Sequence, residues 1–357
     1  MRAMILAAGI GSRLDPLTSG LPKPMVPIAN RPVMEHILNL LSDQGVDEVI
    51  INLHYLQDSI EEYFGDGSSL GMKLAYSREK ELMGTAGGLR RVGNFFDDTF
   101  IVIGGDDLTA MPVSKIVEHH RQNGALATIA LSEVEDPSNF GIVVTDDNGR
   151  IERFQEKPEP EEAFSPLANT GIYVFEPEIL EYIPKNEFYD FGRQVFPDLL
   201  KQGAPFYGLA LKDYWCDVGT LRQYRDANYD VLRGRCPING CDVISEEAEV
   251  AEGAFISEPV VLGPGTVVET GAFIGPDTVI GAGCRIASGA VISASVLWEN
   301  CNIEAEARLD GCVLGRNCSL GRGAVIGPMA VLGDDCLVNA GSKVEPESRM
   351  ATGTVVK

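Results

Sequence analysis

From Ile244 onward an aliphatic residue returns at every sixth position, and this period restricts the fold more than any other feature of the chain. Ile244, Val250, Ile256, Leu262, Val268, Ile274, Ile280, Ile286 and Ile292 share one register. After a five-residue step the count resumes at Leu297, Ile303 and Leu309, and after another at Leu314, Leu320, Ile326, Leu332, Val338 and Val344. A β-sandwich alternates with a period of two and does not hold strict sixes. Hexapeptides of this kind predict a left-handed parallel β-helix. Each short strand sends one aliphatic side chain inward, and glycine in "GPGT", "GPDT" and "GAGC" permits the tight corners. The two five-residue steps are expected to mark a distorted corner or loop.

The repeat occupies only the later part of a 357-residue chain. Up to about Arg235, short apolar runs such as "EVIINL" (Glu48 to Leu53) and "FIVIGG" (Phe100 to Gly105) alternate with helical patterns. Val33, Met34, Ile37, Leu38 and Leu41 make one helix face, with a start near Arg31 and Pro32. Strand and helix in turn predict an α/β fold, a doubly wound, mixed or parallel Rossmann-like sheet over residues 1–235, followed by the β-helix over 236–357. In such sheets ligands sit at the carboxyl ends of the strands.

Charge and cysteines narrow the function classes. The formal net charge is -23, from 29 basic and 52 acidic side chains, so tight non-specific binding to nucleic acid or to an anionic membrane is disfavoured. Cys216, Cys236, Cys241, Cys284, Cys301, Cys312, Cys318 and Cys336 form no C-x-x-C pair, which fits reduced thiols and argues against a zinc site. Neither a signal peptide nor a long apolar membrane span is apparent, so a cytoplasmic protein is expected.

The segment "LAAGIGSRLDPLTSGLPKPMVPI", Leu6 to Ile28, begins where the apolar run Met4-Ile5-Leu6 stops. It lacks the third glycine of a dinucleotide fingerprint and the G-K-[ST] of a Walker A loop. What remains is a strand, a turn whose backbone N–H groups can face anionic oxygens, then Arg13 and, ten residues on, Lys23 between Pro22 and Pro24. The prolines hold that lysine on a stiff, extended segment. Asp15 runs against the charge logic of an anion cradle and is expected to weaken or reshape its outer part.

With its downstream company the segment resembles the signature of the sugar-1-phosphate nucleotidyltransferases, or NDP-sugar pyrophosphorylases, G-x-G-[ST]-R followed by P-K. The likeness continues in order through "GTAGGL" at Gly84, "GGDD" at Gly104, "FGIV" at Phe140, "FQEKP" at Phe154, "NTGIYVF" at Asn169 and "WCDVGT" at Trp215. With a β-helix behind it, the layout is similar to mannose-1-phosphate guanylyltransferases and to related ADP- and UDP-glucose pyrophosphorylases.

The resemblance implies a Mg²⁺-dependent enzyme in which a sugar 1-phosphate oxygen attacks the α-phosphorus of a nucleoside triphosphate and pyrophosphate leaves. Two polyanions must approach one another, so catalysis is mostly positioning and charge neutralisation. Arg13 suits the leaving pyrophosphate, because its planar fork can hold two oxygens; Lys23 suits the α-phosphate as a compact charge. The resemblance further implies nucleotide contacts at Leu6, Ala8, Gly9, Gly11, Ser12, Glu81, Gly84 and Thr85. It implies sugar-phosphate contacts at Gly141, Glu156, Lys157, Asn169 and Gly171. Its metal would lie on Asp106 and Asp217. Asp107 competes with Asp106 because "GGDD" departs from the commoner N-G-D, and Asp217 could instead be a helix N-cap.

The expected substrates are GTP and mannose 1-phosphate. The alternatives are glucose 1-phosphate with UTP, dTTP or ATP, or a non-catalytic, sugar-nucleotide-sensing subunit of the same layout. Loss of Arg13, Lys23 or the aspartates would have favoured the last, and none is lost. Many hexapeptide β-helices are acyltransferases with a histidine base, but His36, His54, His119 and His120 all precede the repeat. The β-helix is therefore expected to join chains into a homo-oligomer or to carry a regulatory surface.

Overall fold

The structure, a computed structural model, describes residues 1–238 and 244–357. Cys241 lies outside the described residues. The chain divides into two compact units, and the division does not follow chain order. Residues 1–10 and 37–217 make the first, and residues 11–36 and 218–357 the second. The boundary expected near residue 235 separates the two sequence patterns; in space, residues 11–36 and the chain from 218 onward go with the repeat.

The first unit is built on a nine-stranded mixed sheet. Its spatial order is Ile151–Glu156, Gly141–Thr145, Leu167–Phe175, Phe100–Gly104, Arg2–Ala7, Glu48–Leu53 and Lys73–Arg78, with Ala127–Glu133 beside Leu167–Phe175 and Phe206–Ala210 beyond it. Arg2–Ala7 pairs in parallel with both Glu48–Leu53 and Phe100–Gly104, the doubly wound core the apolar runs predict. Leu167–Phe175 enters antiparallel against Phe100–Gly104 and makes the sheet mixed. The expected helix spans Val33–Asp43, and Val33, Met34, Ile37, Leu38 and Leu41 are all buried.

In the second unit the hexads form three parallel sheets of short strands, the faces of a β-helix. Every repeat position from Leu262 to Val344 lies in one continuous buried core, where Cys284, Cys301, Cys318 and Cys336 also pack as small apolar groups. Ile244 and Val250, at 37% and 40% exposure, belong to the first turns, which no coil among the described residues covers. Met350 and Val356 carry the period two steps further than the sequence reading took it and pack against the same core.

Both five-residue steps fall at one corner, before Val296–Leu297 and before Val313–Leu314. Ala294 and Gly311 turn that corner with positive φ in successive coils. The helix Leu221–Leu232 packs there: Tyr229 donates its hydroxyl to the Ala294 carbonyl, and Arg225 reaches Met329 in the coil beyond. The shortened corners therefore make room for a helix, where a distortion or loop was expected.

Segment 11–36 is joined to the same β-helix. The Asn30 amide donates to the Ile280 carbonyl at 2.8 Å, and Ser19 Oγ lies 3.1 Å from Thr352 Oγ1. Helix Leu221–Leu232 adds two further ties: the Asn228 amide oxygen accepts the Ala29 N–H at 2.9 Å, and the Tyr224 hydroxyl donates to the Pro27 carbonyl at 2.8 Å.

Candidate functional site

In the first unit, the carboxyl end of strand Arg2–Ala7 is tied to the helix Gly84–Arg91 through buried polar groups. The Ala7 N–H donates to the Asn52 amide oxygen at 2.9 Å, the Asn52 amide donates to Glu79 Oε1 at 2.8 Å, and Glu79 Oε2 accepts the Met83 N–H at 3.1 Å. Asn52 and Glu79 are both buried, so each bond spares a costly orphaned group. Gly88 is required here: a Cβ would stand 2.8 Å from both Asn52 Nδ2 and Glu79 Oε1. Leu6 lies at the end of the strand, Ala8 and the exposed Gly9 follow it, and Gly84 opens the helix in the left-handed region, φ 73°. Glu81 is exposed just before it. The Thr85 hydroxyl donates to Asp190 and accepts the Phe191 N–H, which spends its single proton inside the protein.

Strand Trp215–Asp217 runs antiparallel to Asp107–Thr109, with Asp217 directly opposite Asp107. Opposed residues of an antiparallel pair point to one face, and like charges so placed repel. Asp107 is 7% exposed, and its carboxylate occupies the space that side chains at Gly104 and Gly171 would fill. Asp106 sits on the preceding turn. The helix cap weighed for Asp217 belongs to Thr220, whose hydroxyl accepts the Gln223 N–H at 3.2 Å. Among the described residues no three His, Cys, Asp or Glu side chains gather into a metal cage. Two carboxylates facing each other fit Mg²⁺, which keeps most of its ligands as water and phosphate oxygens. Beside Asp217, the buried indole N–H of Trp215 has no hydrogen-bond partner.

The sugar-side residues converge on Glu156. Gly141 and Gly192 both border its carboxylate, and a Cβ on Gly141 would come within 2.8 Å of it. Burial pushes the Glu156 carboxyl up; Lys157 opposes the shift, Asp190 reinforces it and Arg193 opposes it. Lys157 is exposed and left-handed, φ 45°. Asn169 donates to the Tyr173 hydroxyl at 3.0 Å, and its amide oxygen accepts the Gly171 N–H at 3.0 Å. Asn52, Glu79, Asp190 and Arg193 were not singled out from the sequence.

A raised folded-state value means that Glu156 favours the fold when protonated, an advantage present below the unfolded glutamate value and lost as pH rises through the folded one. Glu156→Gln is therefore expected to melt higher than the parent at pH 7.5, with the gap closing toward pH 4.5. Calorimetry at both values checks this, and a gap independent of pH would refute it.

In the second unit, Gly11 has φ 73°, and a Cβ there would stand 2.7 Å from the Lys23 Cβ. The glycine corner and the lysine stem thus occupy one space. Lys23 is 7% exposed, at the start of a 3₁₀ turn, Lys23–Met25, behind the extended Pro22. Ser12 and Arg13 lie exposed on the preceding turn, Ser12–Leu14. Asp15, which charge logic left unaccounted for, has a structural partner: Thr18 Oγ1 lies 3.0 Å from Asp15 Oδ1 and 3.0 Å from the Gly11 carbonyl, closing the loop on itself.

Residues 2–234 match the family model described as Nucleotidyl transferase, and residues 256–350 match the GMPPB C-terminal domain. The chain is 40% identical to a UTP–glucose-1-phosphate uridylyltransferase of Synechocystis sp. over 98% of its own length and 91% of the relative. It is 37% identical to the mannose-1-phosphate guanylyltransferase of Mycobacterium tuberculosis over 74% of each chain. With the mannose-1-phosphate guanylyltransferase catalytic subunit beta of Drosophila melanogaster it shares 35% identity over 94% of its own length and 89% of the relative. Among solved structures, a putative glucose-1-phosphate thymidylyltransferase from Bacillus anthracis superposes with a TM-score of 0.59 at 27% identity, covering 67% of this chain and 97% of that one.

Proposed function

Because the chain belongs to the nucleotidyl transferase family and is a sugar-1-phosphate nucleotidyltransferase, we propose that it joins GTP to mannose 1-phosphate, releasing GDP-mannose and pyrophosphate. The observation that carries the phosphate chemistry is the contact of Gly11 with Lys23, which brings the glycine corner and a buried ammonium to one place. Lys23 neutralises the α-phosphate as the sugar phosphate oxygen attacks its phosphorus, and Arg13 holds the departing pyrophosphate in a two-pronged grip. Leu6, Ala8, Gly9, Gly11, Ser12, Glu81 and Gly84 seat the nucleotide; Thr85, whose hydroxyl and N–H both bond Asp190, serves it by holding Gly84 in place. Gly141, Glu156, Asn169 and Gly171 bind sugar hydroxyls, and Lys157 holds the attacking phosphate. Asp217 with Asp106 or Asp107 would hold Mg²⁺, which when bound supplies charge neutralisation and alignment of phosphate oxygens.

The guanylyl and mannose assignment draws support from the C-terminal domain match and from the two guanylyltransferase relatives. A second reading, UTP with glucose 1-phosphate, is favoured by the Synechocystis relative, which matches over nearly the whole chain. Pyrophosphate release in Mg²⁺ buffer, with four triphosphates crossed against mannose and glucose 1-phosphates, separates them. The proposal expects the highest kcat/KM for GTP with mannose 1-phosphate. UTP with glucose 1-phosphate in first place overturns the guanylyl assignment, and no turnover with any pair overturns the enzyme. We further propose a cytoplasmic homo-oligomer, assembled through the open first coil of the β-helix, where Val250 and Phe255 stand exposed. Among the described residues no helix is long and apolar enough to cross a membrane.

A further inference from the structure

Along one side of the Gly84–Arg91 helix, from its N-cap to just past its end, lies a cavity of about 240 Å³ lined by Met83, Gly87, Arg90, Arg91, Asn94, Lys185 and Asn186. Three lining side chains are cations and none is acidic, in a protein whose formal charge is -23. Among the described residues Arg90, Arg91 and Lys185 form no ion pair, and the buried Arg90 Nε has no hydrogen-bond partner. A helix C-terminus attracts cations, which accounts for two arginines in the last turn. It does not account for a third cation arriving from another segment, nor for a buried guanidinium N–H left unpaired, a group that native proteins rarely orphan.

We propose that this cavity binds a small phosphate-bearing anion, held by Arg90, Arg91 and Lys185, which acts on the sugar-phosphate residues through Tyr189 and Asp190. Guanidinium forks suit phosphate oxygens, and the two asparagine amides add neutral donors. The volume falls below the roughly 300–1,000 Å³ of pockets that enclose drug-sized ligands, so inorganic phosphate or a small phosphate monoester fits better than a nucleotide. The route to the site is covalent and short. Beyond Lys185 and Asn186, the Tyr189 carbonyl accepts the Ala86 and Gly87 N–H groups, each at 2.9 Å, and the Tyr189 N–H donates to Met83 at 2.9 Å. Asp190 then anchors Thr85 and is one of the charges, with Lys157 and Arg193, that act on Glu156. An anion bridging Arg90 to Lys185 clamps this segment to the helix.

The kinetic half of the inference rests on the proposed reaction; the binding half does not. Calorimetric titration of the full chain with inorganic phosphate, and separately with glycerol 3-phosphate, reads binding in the parent, in Lys23→Met and in the double variant Arg90→Met/Lys185→Met. One site is expected to survive in Lys23→Met and to weaken at least tenfold in the double variant, with binding restored in Arg90→Lys/Lys185→Arg. Tighter binding of one probe identifies free phosphate or the monoester as the ligand type. Unchanged binding in the double variant, or loss of all binding in Lys23→Met, overturns the site. In turnover assays the bound anion is expected to change the sugar-phosphate KM by about fivefold or more, within the usual range of coupling between sites. An equal response in parent and double variant overturns the coupling. Absence of turnover without any added anion refutes the proposed reaction instead.

Discussion

Lys23→Met is expected to lower kcat for pyrophosphate release about 10²–10³-fold, the loss typical of removing one preorganised group that meets charge developing in the transition state. Methionine is the informative replacement, because the Lys23 stem packs against the Gly11 backbone and a shorter residue would leave a gap there. The change keeps the bulk and removes the charge. Turnover should therefore collapse at temperatures where the variant remains folded. The effect is expected in kcat more than in KM, since an ammonium on the α-phosphate matters most when that phosphorus is under attack. A kcat within threefold of the parent would remove Lys23 from the chemistry and reduce the Gly11–Lys23 contact to loop packing.

How far sequence reasoning reached depends on whether a feature repeats or stands alone. The hexads announced the β-helix because one geometric demand, an inward aliphatic residue per strand, recurs in every coil, and each residue from Leu262 to Val344 is where that demand places it. The five-residue steps were visible as an irregularity, but nothing in spacing says that a helix from an earlier part of the chain fills the resulting corner. Asp15 shows the same limit on a smaller scale. As a charge it looked misplaced beside Arg13, and only its contact with Thr18 reveals a carboxylate used for loop closure.

Asn52, Glu79 and Asp190 were illegible for a different reason. Their bonds run between segments 27 and 105 residues apart, and each lies in a stretch whose pattern predicts no more than a strand or a turn. Motifs marked the residues proposed to surround the ligands; the polar groups that hold those residues in place carry no motif. The placement of residues 11–36 belongs to the same class. Their strongest ties, to Asn228, Tyr224 and Ile280, are about 200 residues or more away in sequence.

Trp298→Ala carries the second large effect, because Trp298, buried next to the inward-facing Leu297, joins the β-helix to that segment. The side chain is almost fully buried, and its indole N–H donates to the Tyr224 hydroxyl at 2.8 Å; that hydroxyl in turn donates to the Pro27 carbonyl at 2.8 Å. Tyr224 is itself buried, so losing the indole leaves one of its acceptor positions empty beside a large cavity. Truncation of a buried tryptophan to alanine costs about 3–5 kcal/mol, to be read as a lower midpoint in urea unfolding. The kinetic consequence separates a strut from simple core filling. If the β-helix positions the loop that carries Arg13 and Lys23, the triphosphate KM should rise severalfold more than the sugar-phosphate KM at a temperature where the variant is fully folded. Trp298→Phe, which keeps most of the volume and removes the N–H together with the five-membered ring, should show a smaller loss of stability with the same bias toward the triphosphate. Equal changes in both KM values, or a bias toward the sugar phosphate, would leave Trp298 as core packing and detach the β-helix from control of the triphosphate loop.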